Sequence, residues 1–183
     1  NGISPPAIQF IGQIDSLSSA PNQGLREPGA NTLAAPAAVA FQGSEMYVLD
    51  TGNHRLLVYP QTSGSNLAAT RLLGQLDFNF GAPNLIEGRE IFVYFNTALK
   101  GGGMAVDNSS PPAHLYVADT LNNRVLGFRD FRSLAAGSKA DIVIGQLDLQ
   151  RNTPNYATGK TTAPTDSSLY LPVAVAVDKN GDL

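Results

Sequence analysis

The sequence has no cysteine and only two histidines, and 15% of its residues are charged. Without cysteine there is no disulfide, no thiolate nucleophile and no Cys-based metal site. The 12 lysines and arginines are spread along the chain without a run, and the formal net charge is −3. Such a surface does not attract a phosphate backbone, so nucleic acid is not an expected partner. No apolar stretch approaches the roughly 20 residues that a membrane helix requires; the best, 169–177, is interrupted by Pro172. No signal peptide is visible, and neither a Gly-x-Ser-x-Gly elbow nor a phosphate loop occurs. His54 and His114 each lack a neighbouring histidine from which a zinc site would be built. No catalytic residue and no metal-ligating set is assigned from the sequence. Few lysines beside much Asn, Gln, Ser and Thr point to an exported bacterial protein, whether periplasmic, cell-surface or extracellular.

What the chain does contain is repeated. Residues 115–128, Leu-Tyr-Val-Ala-Asp-Thr-Leu-Asn-Asn-Arg-Val-Leu-Gly-Phe, echo residues 46–59, Met-Tyr-Val-Leu-Asp-Thr-Gly-Asn-His-Arg-Leu-Leu-Val-Tyr. In both, an apolar run ends at Asp-Thr, a short polar turn follows, and Arg opens a second apolar run, which is the pattern of a β-hairpin. Asp119 follows Asp50 by 69 positions. That period suits a four-stranded unit with one long loop. A second echo fixes the register. Gly12-Gln13, Gly74-Gln75 and Gly145-Gln146 are each followed by Asp15, Asp77 and Asp148, and six positions later by Pro-Asn. A third family, at 38–41, 104–107 and 174–178, opens each repeat.

The predicted fold is therefore all-β. One antiparallel unit takes its strands from 36–41, 46–50, 55–59 and 70–75, within 36–75, and a second from 102–107, 114–119, 124–128 and 141–146, within 101–146. Residues 7–13 read as the last strand of a preceding unit and 172–183 as the first strand of a following one. Long loops at 14–35, 76–100 and 147–171 lie between, rich in Ser, Asn, Pro and Gly. The aromatic segment 91–95 is expected to add a strand to the second loop. Runs such as Met-Tyr-Val-Leu, apolar on both faces, suit sheets covered on both sides. The chain begins without Met and stops within a repeat, so it reads as a fragment.

The Tyr-Val-x-Asp-Thr-x-Asn-x-Arg pattern, with Asn53-His54-Arg55-Leu56 in the first copy, resembles the NHL repeat of β-propeller proteins. With its Gly-Gln-x-Asp…Pro-Asn loops, the chain is similar to bacterial NHL-repeat proteins with enlarged blades. The resemblance covers nearly the whole chain and implies a partial β-propeller, two complete blades plus flanking strands. A full ring of six at this period runs to about 400 residues. An incomplete ring would leave blade faces uncovered, through which the fragment is expected to self-associate.

Asp50 and Asp119 end a strand where a carboxylate accepts turn N–H groups, Asn53 and Asn122 tolerate positive φ, and Arg55 and Arg124 follow at pairing distance. A residue repeated in every unit is placed by the fold, so these read as structural locks. Asp15, Asp77 and Asp148 read as caps of the long loops. As a ring of carboxylates in the channel of a complete propeller, they leave calcium as the one cofactor to be considered. His54 is expected at a solvated turn, and the glycines at 101–103 at a kink. Because antiparallel strands alternate direction, the hairpin turns and all three long loops emerge on one side. That side carries Arg26, Arg89, Phe92, Tyr94, Phe95, Arg151 and Tyr156, with Glu27, Phe80, Glu87, Glu90 and Lys160, and is expected to contact a protein or carbohydrate. The implied role is recognition or scaffolding without catalysis. The alternative is a metal-dependent lyase or lactonase-like hydrolase of the six-bladed type, with its catalytic residues in blades outside this sequence.

Overall fold

The computed structural model describes residues 9–62, 64–83, 86–94, 96 and 101–183. Helical structure among them is confined to single 3₁₀ turns. The strands are β1 (Pro36–Gln42), β2 (Glu45–Asp50), β3 (Arg55–Pro60), β4 (Arg71–Leu73), β5 (Met104–Asp107), β6 (His114–Asp119), β7 (Arg124–Phe128) and β8 (Ile142–Ile144). They form two four-stranded antiparallel sheets, ordered β1-β2-β3-β4 and β5-β6-β7-β8. No described helix is long and apolar enough to cross a membrane.

The central hairpins have the same register. Asp50 stands opposite Arg55 in one and Asp119 opposite Arg124 in the other, each pair closing its ladder at a 3₁₀ turn, Thr51–Asn53 or Thr120–Asn122. His54 and Asn123 end these turns in the left-handed region, at φ 52 and 54. Asn and His are among the non-glycine residues enriched in that region.

The sheets face each other. Tyr47, Leu49, Leu56, Val58 and Leu73 of the first pack with Leu115, Val117, Leu126 and Phe128 of the second, and β1 lies against β5. The far face of the first sheet buries Val48, Leu57, Tyr59 and Leu72 beneath Leu33 and Ala69. Both faces of β2 and β3 are therefore covered, which is why those strands do not alternate apolar and polar residues. The end of the interface away from the hairpin turns is clamped by Glu45. Its carboxylate takes Arg71 at 2.7 Å, Arg132 at 3.1 Å and the Tyr47 hydroxyl at 2.6 Å, and the Tyr47 ring meets Phe131 edge-on at 5.0 Å. Burial and the Glu45 charge push the Tyr47 hydroxyl up to about 12.

Three of the segments expected as strands form no ladder among their described residues. Of the strand expected over 7–13, residues 9–12 join no ladder; Phe10 is held by the loop at 65–66 instead, and 7–8 lie outside the described residues. Residues 172–178 also join no ladder. They run beside β5, so that a Cβ built on Gly103 would lie 2.8 Å from Ala174 Cα. Among its described residues, 91–94, the segment expected over 91–95 forms no strand; Glu90 before it bridges Gly74, Tyr94 is a further bridge residue, and Ile91 and Val93 enter the core between the sheets. Packing of these side chains, rather than backbone pairing, is what their apolar character serves.

Candidate functional site

Each hairpin turn is the centre of a buried polar knot. Asp50 and Arg55, and likewise Asp119 and Arg124, have fully buried side chains joined through Arg Nε at 2.8 and 2.7 Å. The carboxylates also accept the side-chain amide of Asn53 at 2.7 Å and of Asn122 at 3.0 Å. Their remaining reach goes to the loop that enters the sheet. Asp50 Oδ1 accepts the Ala34 N–H at 2.6 Å, and Asp119 Oδ1 accepts that of Phe92 at 2.7 Å. The arginines reach the loop that leaves it: Nη1 of Arg55 donates to Phe78 O at 2.5 Å and that of Arg124 to Leu149 O at 2.6 Å. Burial pushes both carboxyls above their ordinary range, against the pull of arginine, backbone N–H and asparagine amide.

The Gly-Gln echoes tie the same loops a second time. Gly12, Gly74 and Gly145 adopt φ of 85, 88 and 90, a turn that suits glycine and directs the chain out of the sheet. A Cβ on them would strike Leu33, Ile91 and Leu169, so the far end of each long loop closes on the glycine that begins it. Gln75 donates to His54 O and Ala82 O, and Gln146 to Asn123 O and Thr153 O; Gln13 donates to Ala20 O. Asp15, Asp77 and Asp148 each accept the N–H two residues on, at 2.9, 2.7 and 3.0 Å. Among the described residues no group of three His, Cys, Asp or Glu side chains is placed to hold a metal.

The loop residues singled out from sequence do not converge on one site. Phe92 lines a cavity of about 690 Å³ with Phe80, Pro83, Ile86, Glu90 and Asn122. Arg26 and Glu27 line a second, of about 670 Å³, with Asn22, Asn53, Asn79 and Phe80. Arg89 turns away to Gly137 O at 3.1 Å and Glu87 at 2.8 Å. Arg151 lies over the Tyr156 ring at 5.4 Å and pairs with Asp148 at 2.9 Å. Tyr94 is half-buried, and Phe95 lies outside the described residues. The lining residues Ile86 and Asn152 carried no signal in the sequence, and Leu76 and Pro83 only as members of the Gly-Gln-x-Asp and Pro-Asn echoes, because each becomes part of a wall only through how its loop folds.

Glu90 is the chemically distinctive member. It is 5% exposed, and its Oε2 has no hydrogen-bond partner. Burial, and then the neighbouring Glu87, push its carboxyl up, against Arg89 and Lys139. His54 is not a solvated turn residue: it is 4% exposed, edge-on to Phe92 at 5.3 Å, with Nδ1 accepting the Val93 N–H at 3.4 Å. Asn123 plays the same part in the second copy, accepting the Leu171 N–H at 3.1 Å.

No protein-family model matches the chain, and no curated protein matches it significantly.

Two predictions follow from the knot. Asp119→Ala leaves Arg124 charged, buried and without its carboxylate, so it is expected to cost about 3–5 kcal/mol. A urea titration checks it, and an unchanged midpoint contradicts it. Burial lowers His54 to about 4 from its ordinary 6.5, so the unfolded chain binds the proton more readily. The contribution of His54 is complete above 6.5 and is lost as pH falls from 6.5 towards 4, by about 3 kcal/mol. His54→Asn, the residue of the other copy, is expected to flatten that part of the stability–pH curve; coincident curves contradict the assignment.

Proposed function

We propose that this chain is part of a recognition or scaffold β-propeller of the NHL type, six-bladed when complete, which binds a protein or carbohydrate without catalysis through the side bearing its long loops. The two sheets share one strand order, and their first strands lie together. The entrances of β1 and β5, with Val173 of the third opening segment, line one cavity of about 470 Å³, consistent with sheets arranged about a common hub. The recurrent Asp-Thr-x-Asn-x-Arg and Gly-Gln-x-Asp segments support the same reading.

The observation that carries the functional part is where the loops go. The knot brings the loop before and the loop after each hairpin over one turn, and the cavities of about 690 and 670 Å³ open between those loops. Variable loops held on a rigid sheet scaffold are the usual seat of binding. Phe80 borders both cavities while 50% exposed, and Leu76 is exposed beside it. Aromatic and aliphatic side chains at such an edge favour a partner with apolar surface, a protein before a carbohydrate.

Peptide and glycan arrays probed with the purified protein test this reading. A double variant, Leu76→Ala with Phe80→Ala, is expected to lose the array signal by about tenfold or more, as truncation of an interface anchor does. Asn108→Ala, in the β5–β6 turn at the opposite ends of the strands, is expected to keep it. A signal indifferent to the double variant, or one lost with Asn108→Ala, contradicts the proposal.

A further inference from the structure

The two large cavities occupy equivalent places, one over Asn53 and the other over Asn122, and differ in how the protein itself fills them. Over the first turn, Asn22 and Asn53 exchange amide hydrogen bonds at 3.0 and 2.8 Å, so the polar groups of the floor are satisfied by the protein's own side chains. Nη2 of Arg55 is saturated there by the carbonyls of Gly29 and Thr32, both at 3.0 Å. In the second copy Glu90 takes the position of Thr32. Each stands two residues before the N–H that reaches the aspartate, that of Ala34 or of Phe92. The second copy leaves Glu90 Oε2 and Arg124 Nη2 both buried and both without a hydrogen-bond partner. Two polar atoms that one repeat satisfies internally are thus left open in its twin.

A buried carboxylate oxygen without a donor is costly, and native proteins seldom keep one without a use. This one belongs to a side chain lining a cavity whose walls are Phe80, Pro83, Ile86 and Phe92. The nearby cations face Glu87 and make no hydrogen bond to Oε2: Arg89 Nε lies 2.8 Å and Lys139 3.5 Å from Glu87, although that Nε is itself without a hydrogen-bond partner. Apolar walls around a single carboxylate oxygen select a hydrogen-bond donor of positive charge on an apolar stem. Oε2 is the one Glu90 oxygen that is both buried and without a partner, and a compact ammonium needs a single such acceptor, whereas a guanidinium fork asks for two oxygens. A cavity of about 690 Å³ exceeds one side chain and lies in the range that encloses a ligand of several residues. Asn152 adds a side-chain amide to its lining, a group of the kind that pairs with peptide backbone, while the Asn122 amide is held by Asp119.

We infer that the cavity beneath Phe80 receives a lysine side chain, flanked by apolar residues, from a peptide segment of a protein partner, with Glu90 as the counter-charge. The inference rests on the recognition role proposed above and specifies what that face selects.

The test uses N-acetyl-Phe-Lys-Leu-amide and its analogues with acetyl-lysine, arginine or glutamate in place of lysine, titrated into the protein by calorimetry. The lysine peptide is expected to bind tighter than the acetyl-lysine peptide by about tenfold or more, the size of a charge-assisted hydrogen bond, with arginine between them. Glu90→Gln keeps the side-chain shape and is expected to bring the lysine and acetyl-lysine peptides within about twofold of each other, while Phe80→Ala weakens all four together. Equal binding of the lysine and acetyl-lysine peptides by the native protein overturns the inference, as does a lysine preference that survives Glu90→Gln. Binding of free 2-phenylethylamine as tight as that of the lysine peptide also overturns it, assigning the cavity to a small amine. The native series alone decides the matter should Glu90→Gln not fold. If none of these peptides binds while the arrays still report a partner lost with Phe80, this inference fails and the recognition role stands. If the array signal ignores Phe80, both fail.

Discussion

The structure depends on a buried ion pair placed at the tip of each hairpin. A carboxylate and a guanidinium with no exposed side-chain surface are expensive to desolvate, and their mutual attraction alone does not guarantee a net gain. What distinguishes these pairs is the set of backbone groups they satisfy. Aspartate takes an N–H from the loop arriving at the sheet, and arginine gives to a carbonyl of the loop leaving it. Irregular chain has unpaired N–H and C=O groups that cannot be buried without partners. The ion pair supplies them, so the long loops lie against the sheets as ordered structure instead of trailing into solvent. The glycine that closes each loop and the glutamine behind it complete the same enclosure.

Repetition then separates scaffold from function. The two knots match at Nε and Nη1 of Arg and differ at Asn only in that Asn122 spans both aspartate oxygens, while the loops they hold differ in length, charge and side chain. One loop lines its cavity with Asn22, bonded to Asn53, and with Arg26 and Glu27; the other surrounds its own with aromatic and aliphatic walls and Glu90. Binding specificity in such an arrangement is written in residues that break the repeat, and stability in residues that keep it.

The sequence made the scaffold legible because its signals are local. Asp and Arg five positions apart between apolar runs specify a hairpin, and strand direction alone places the long loops with the turns. Contacts formed across the fold were not legible. His54 is buried by a segment some forty residues on, which packs Phe92 against its ring and offers it the Val93 N–H. The apolar pattern at 91–95 promised a strand, but Ile91 and Val93 serve the core between the sheets. The loop aromatics and cations could be named from sequence, yet Arg89 and Arg151 are taken up by neighbouring groups, and Glu90 acquires its character only by being buried beside a cavity. Residues 172–178 share the composition of β1 and β5 and lie beside β5, but composition does not report whether a ladder partner is in place.

The central claim is that the aspartate of each knot holds the loops and not only the hairpin. Native-state hydrogen exchange of Asp119→Asn against the unaltered protein tests it most directly, since asparagine keeps the size of the side chain and removes its charge. The account predicts that the Phe92 amide and the amides at 147–155 lose protection while those of β6 and β7 keep theirs. Unchanged protection at Phe92, or loss spread evenly over the second sheet, would contradict it.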